Sequence, residues 1–204
     1  MISISFTSLI IFINIFIFIL WHILGNIYPN FMISNFLVSW DSLIHGKIWT
    51  LLTSAFSHTM LWHLLINMFV LFNFGVIVEN QLGSLRFIVF YIAAGIMGSL
   101  LHCIVCSYIL HQPNLLALGA SGAISGVILL FSLYNPNQLI FLFGIIPLPA
   151  IWAVILFNGL DVWGLINQTR GIPSPIGYGA HLGGALAGLI YFGILRLRDS
   201  VTNN

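Results

Sequence analysis

Four polar side chains in an otherwise apolar chain have the types and the spacing to do chemistry: Ser121, His181, His63 and Asn67. Ser121 stands in Gly119-Ala120-Ser121-Gly122. A serine that opens a helix beside a histidine is an activated nucleophile: the imidazole takes the hydroxyl proton, and N–H groups at the positive helix end stabilise developing negative charge. His181 is the candidate general base. His63 and Asn67, at i and i+4, share one helix face, and with the Ser121 N–H they would complete an oxyanion hole. The chemistry implied is acyl transfer.

The elements that must position these groups follow from composition. Of 204 residues, 60% are hydrophobic and 4% charged, against about 25% charged in an ordinary soluble domain. Such a chain cannot be a water-soluble globule, and its solvent must be mostly lipid. One polytopic membrane domain over residues 1–204 is expected. A net charge of +1, with Lys47, Arg86, Arg170, Arg196 and Arg198 scattered, offers no basic patch, so nucleic acid is excluded as a partner.

Charges, prolines and glycine clusters bound six spans: about Phe6 to Ile27, Ser57 to Val78, Leu85 to Ile109, Ser121 to Tyr134, Pro149 to Ile166 and Gly179 to Leu195. The first lacks the basic n-region and cleavage site of a signal peptide. Three basic residues on the Glu79 side against two opposite favour cytoplasmic termini.

Helix rise sets the depth of the polar groups. At 1.5 Å per residue, Ser121 lies about 20 Å from Tyr134, His181 about 22 Å from Arg196, and Asn67 and His63 about 18 Å and 24 Å from Glu79. All four fall in one layer below the outer face of a core about 30 Å thick. The fourth span is too short to cross alone, so Gln112 to Ala120 is expected to descend in non-helical form, which requires backbone buried in protein or lining a water-filled cavity. Gly122 and Gly126, with Ala180, Gly184 and Gly188, have the small-xxx-small spacing that brings the fourth and sixth spans together.

Other polar groups favour structural roles. His58 is read as orienting the connection before the second span, and Cys103 and Cys106 as helix packing. His102 with those cysteines is too small a set for a metal site, and no H-E-x-x-H is present. Asp161 sits near the end of the fifth span, with Asp41, Glu79 and Asp199 outside the spans. That leaves no obvious carboxylate at the depth of His181 and favours a Ser-His dyad over a triad.

At these residues the chain resembles the rhomboid family of intramembrane serine proteases. The features run in family order: the Trp49 region, His63-x-x-x-Asn67, Glu79-x-x-x-Gly83, Gly119-Ala120-Ser121-Gly122 and Ala180-His181-x-x-Gly184-x-x-x-Gly188. The resemblance covers nearly the whole chain and is closest to the minimal six-helix bacterial form. It implies an all-α, six-transmembrane-helix bundle whose short fourth helix starts at the nucleophile, set in the bacterial inner membrane. It implies Ser121 as nucleophile, His181 as general base, and His63, Asn67 and the Ser121 N–H as oxyanion stabilisers, with no cofactor or metal. A connection from Asn30 to Phe56 in the outer leaflet and a mobile cap near Gly171 to Gly177 are also implied. Thr50 and Ser125 depart from the common pattern, which has Arg and an aromatic there. The expected partners are membrane lipid and transmembrane protein substrates, cleaved near their outward ends. The rival readings are a catalytically silent rhomboid-like protein that binds membrane helices, and a small channel or transporter.

Overall fold

The computed structural model of the chain describes residues 5–142 and 144–202, with the side chains of residues 199 and 201–202 outside that description. It is a polytopic, mostly helical membrane protein. Helix α1 (Phe6–Ile27) crosses first, and a connection of short helices, α2 (Pro29–Phe36), α3 (Trp40–Ile44) and α4 (Thr50–Thr53), follows it. The second crossing, Leu61–Leu82, consists of α5 (Leu61–Val70), a π turn at Leu71–Gly75 and α6 (Val76–Leu82). Helix α7 (Ser84–Ile104) ends in a second π turn, Val105–Ile109, and α8 (Ser121–Tyr134) is the short fourth crossing. Strands β1 (Leu139–Leu142) and β2 (Ile146–Pro149) form an antiparallel hairpin before α9 (Ala150–Thr169) and α10 (Tyr178–Thr202).

Five helices are long and apolar enough to span a bilayer, and α8 is the shorter sixth. A belt of exposed apolar side chains, including Phe12, Trp62, Phe69 and Trp163, faces outward, as expected where the surrounding solvent is lipid. The bundle is ordered by small residues. A Cβ on Gly184 would overlap the Gly122 carbonyl, one on Gly126 would lie 2.7 Å from the Gly184 oxygen, and one on Gly98 2.8 Å from the Ala180 oxygen. Helices α7, α8 and α10 therefore meet backbone to backbone, the close approach that small residues allow in lipid.

Two polar devices hold the parts outside this trio together. Glu79, expected outside the spans, is buried inside the second crossing, because the helix runs on to Leu82. Its carboxylate accepts hydrogen bonds from Ser5 Oγ (2.6 Å), the Phe6 and Thr7 N–H groups (2.8 and 2.9 Å) and Thr7 Oγ1 (2.7 Å). It thus caps α1 from another helix, satisfying N–H groups that a helix start leaves open. The descending stretch 112–120 is non-helical, and the first connection satisfies its backbone. Val38 and Ala117 exchange N–H···O bonds of 3.0 and 2.9 Å, Gly119 N–H donates to Ser54 O (2.9 Å), and Asp41 N–H donates to Pro113 O (3.0 Å). These bonds allow irregular backbone at membrane depth. Buried Thr50 donates from Oγ1 to Lys47 O at 2.6 Å and ties that connection to itself.

Candidate active site

Ser121 is the first residue of α8 because Gly119 and Ala120 turn the chain into the helix. Gly119 has φ +123°, and a Cβ there would lie 2.6 Å from His63 Cε1. A side chain at 119 would be strained by the backbone and blocked by the ring at once. Ser121 Oγ lies 3.0 Å from His181 Nε2, a contact set by the interlocked glycines of α8 and α10.

The other ring nitrogen answers a question that the sequence reading decided differently. His181 Nδ1 is 2.9 Å from Asp161 Oδ1, with both side chains largely buried. The expectation that no carboxylate stands beside His181 is therefore corrected: Ser121, His181 and Asp161 form one line of hydrogen bonds. An ionised carboxylate can only accept, so the network assigns the proton to Nδ1, and Nε2 is left to accept from the Ser121 hydroxyl. The physical reason for the difference is helix length. Helix α9 continues to Thr169 rather than ending near Ile166, which sets Asp161 about 12 Å below the helix end, at the level of the imidazole. A carboxylate in an apolar span is expensive enough to be read as part of a site by default, and that was the signal available.

His63 and Asn67 both line the same cavity as Ser121 and His181. Asn67 is buried, and its amide nitrogen donates to the His63 carbonyl (2.9 Å) and lies 3.2 Å from His58 Nε2. Both of its donors are thus engaged away from Ser121. His58 is fully buried, edge-to-face with the His63 ring at 4.8 Å, and its Nε2 accepts from the Ala120 N–H at 3.4 Å. It holds the residue before the nucleophile as well as the connection on which it lies. His102 contacts Leu115 O (3.3 Å) and the Cys106 sulfur (3.5 Å) and also borders the cavity.

The cavity holds about 580 Å³ and is bounded by the 115–119 stretch on one side and Ser174–Gly177 on the other. That cap is tied down by Ser174 Oγ to the Tyr178 hydroxyl (3.1 Å) and by Gln168 Nε2 donating to Ser174 O (3.4 Å). A serine hydroxyl, a histidine that can take its proton, a carboxylate behind that histidine and a helix N-terminus converge on one pocket. This is the equipment of nucleophilic acyl transfer.

The fold and this pocket define a polytopic membrane protein with a serine-histidine centre between two tightly packed helices. A rhomboid-domain family model matches residues 45–198, and the chain belongs to the rhomboid family. It is 31% identical over 195 residues to RHOMBOID-like protein 12, mitochondrial, of Arabidopsis thaliana, an alignment covering 90% of this chain and 56% of that protein. It is 31% identical over 196 residues to Rhomboid protein 1, mitochondrial, of Saccharomyces cerevisiae, covering 88% and 50%. Against Rhomboid protease GluP of Bacillus subtilis the identity is 37% over 123 residues, covering 60% and 23%. The chain spans about half the length of the two mitochondrial relatives.

Proposed function

We propose that this protein is an intramembrane serine endopeptidase that cleaves the transmembrane segments of other membrane proteins near the Ser121 end of the bilayer. The observation that carries the reading is the 3.0 Å approach of Ser121 Oγ to His181 Nε2 inside the cavity. Ser121 Oγ attacks the scissile carbonyl as its proton passes to Nε2, and the oxyanion forms against the Ser121 N–H and His63. Asn67 joins them by exchanging one of its present bonds. The imidazolium then protonates the leaving amine, and water repeats the sequence on the acyl-enzyme. Asp161 keeps His181 in the required tautomer and orientation, as a positioning residue. The scissile stretch must leave its helix to enter the cavity, so substrates with Gly, Pro or polar residues there pay less to unfold.

The membrane in this reading is a bacterial inner membrane with cytoplasmic termini. The surplus of basic residues at the Glu79 end supports the sidedness; a bacterial relative is matched over 60% of the chain, while the relatives matched over 88–90% are mitochondrial, and a topology reporter on the C-terminus tests the sidedness. Activity is tested with a fluorophosphonate probe on the purified protein. The parent should be labelled, and Ser121→Ala and His181→Ala should lose labelling while unfolding at the parent's temperature. A folded parent that never labels would turn the reading toward a silent protein that binds membrane helices.

A further inference from the structure

The connection between α8 and α9 does no chemistry and is unusually apolar for a turn between spans. No Asp, Glu, Lys or Arg occurs between Arg86 and Asp161. Leu139, Phe141, Ile145 and Ile146 of the hairpin are all more than half exposed, Ile145 at 78%. In water such a patch on a two-stranded sheet would be an aggregation site.

The backbone of the second strand meets the condition that lipid imposes. Ile140 pairs with Leu148 and Leu142 with Ile146. In an antiparallel ladder alternate residues turn their N–H groups to the partner strand. Pro147 and Pro149 have no N–H, so the ladder donors of β2 are Ile146 and Leu148, and the outward-facing positions are the prolines. The flanking donors are also bonded: Gly144 N–H to Phe141 O (3.1 Å), Ile145 N–H to Leu142 O (3.0 Å), Ala150 N–H to Gln138 O (2.8 Å) and Ile151 N–H to Pro136 O (3.2 Å). From Gly144 to Ile151, every N–H is therefore bonded within the hairpin and its base or is absent. The β2 edge is thus backbone that an apolar solvent tolerates, whereas the Leu139 and Phe141 N–H groups of β1 face outward by the same ladder rule, which sets that edge at the hydrated headgroups rather than deep among acyl chains.

Position agrees with this. Helix α8 spans about 20 Å from Ser121, so Tyr134 reaches the far boundary of the hydrocarbon and the hairpin starts at that level. Gln81 Nε2 donates to Asn135 Oδ1 (3.1 Å), tying the hairpin's base to the Glu79 end, and Ile140 packs on the core. The Arg196 guanidinium stacks over Phe192, which packs edge-on to Tyr134, so positive charge suited to headgroups lies at the same end.

We propose that the hairpin of β1 and β2 is a membrane-seated paddle: it lies at the headgroup–acyl boundary of the leaflet at the Glu79 end, with lipid acyl chains covering Leu139, Phe141, Ile145 and Ile146. The inference stands apart from the protease reading. Its consequence is that α9, which begins directly after Pro149, is pinned to that leaflet at its base.

The test uses the full chain reconstituted in phosphatidylcholine–phosphatidylglycerol vesicles, with a nitroxide on Ile145→Cys and, separately, on Phe141→Cys. Cys103 and Cys106 are buried, and the labelled parent gives their background. Power saturation with oxygen and with a water-soluble nickel chelate is compared with Phe157→Cys on the lipid-facing side of α9 and with Ser200→Cys as the aqueous reference. Both hairpin labels should favour oxygen over nickel several-fold more than Ser200→Cys, at a depth of about 5–10 Å. Nickel access equal to that at Ser200→Cys would overturn the proposal. So would dipolar broadening relieved by dilution with unlabelled protein, because hairpins would then be pairing through the open edge of β1 in a second copy.

Discussion

Helices α7, α8 and α10 and helix α9 hold parts of one site by different means. The inner three touch through main-chain atoms, with glycine or alanine at each crossing. Helix α9 leaves an apolar groove of about 270 Å³ against α8 and α10, lined by Leu129, Val154, Asn158 and Leu182 among others. Its links to the site are side-chain ones: Asp161 on His181, and Tyr178 lying over Gly164, where a Cβ would overlap the ring. Ser121 and His181 thus stand on helices whose separation is set by main-chain contacts, and Asp161 stands on a helix with slack. On the proposed protease reading, fixed geometry stands where reacting atoms would have to meet within about 3 Å, and looser packing stands at the rim where a substrate helix would enter.

Breaking the inner contact should have the largest effect. Gly184→Leu forces a branched side chain into the Gly122 backbone, and overpacking of this kind costs about 1–3 kcal/mol or more. Thermal unfolding in detergent should show a large fall or no folded protein, with no probe labelling. Gly193→Leu, on the same helix with nothing within 4 Å of its Cβ, should leave both unchanged; equal damage from the two would mean that the crossing is not special.

Removing the outer contact should spare the fold. Asp161→Asn should lower kcat by about 10²- to 10⁴-fold with little change in KM or unfolding temperature. The low-field proton resonance of the His181–carboxylate bond should vanish, and Asp161→Glu should restore part of the rate. A fall in unfolding temperature with the per-molecule rate intact would make Asp161 a packing residue.

A smaller effect sharpens the comparison in the connection just before α5. Burial first, and the neighbouring His63 second, hold His58 far below the ordinary histidine value of 6.5, to about 3. Between those values the unfolded chain binds a proton that the folded chain does not, so stability falls as pH drops below about 6.5. Going from pH 7 to 5 should lower the parent's unfolding temperature by a few degrees more than that of His58→Asn. Equal shifts would mean that other groups set the acid limit.

Much of this architecture was legible in residues. Spans one, three and six were readable because Pro29, Arg86 and Arg196 punctuate an apolar chain, and the short fourth span because Pro136 follows Ser121 too soon. The hairpin was not, because Leu139 to Pro149 is apolar on both faces and a period of two has no polar contrast to show itself. Asp161 was placed too near a helix end for a related reason: Asn167, Gln168 and Thr169 look like a terminus, yet α9 carries them as helix. His58 was read as structural, and its bond toward Ala120 depends on a fold-back of the chain that spacing does not reveal.

The sequence by itself determined that the chain lives in lipid, that its few polar groups share one depth, and that its small residues mark where helices touch. These are one-dimensional properties: composition, helix rise and periodicity. Which carboxylate stands behind His181, which donors Asn67 has left, and how irregular backbone survives at membrane depth were decided only by the tertiary structure. Each depends on where a second element ends and turns, and helix ends are set by tertiary hydrogen bonds rather than by the local run of residues.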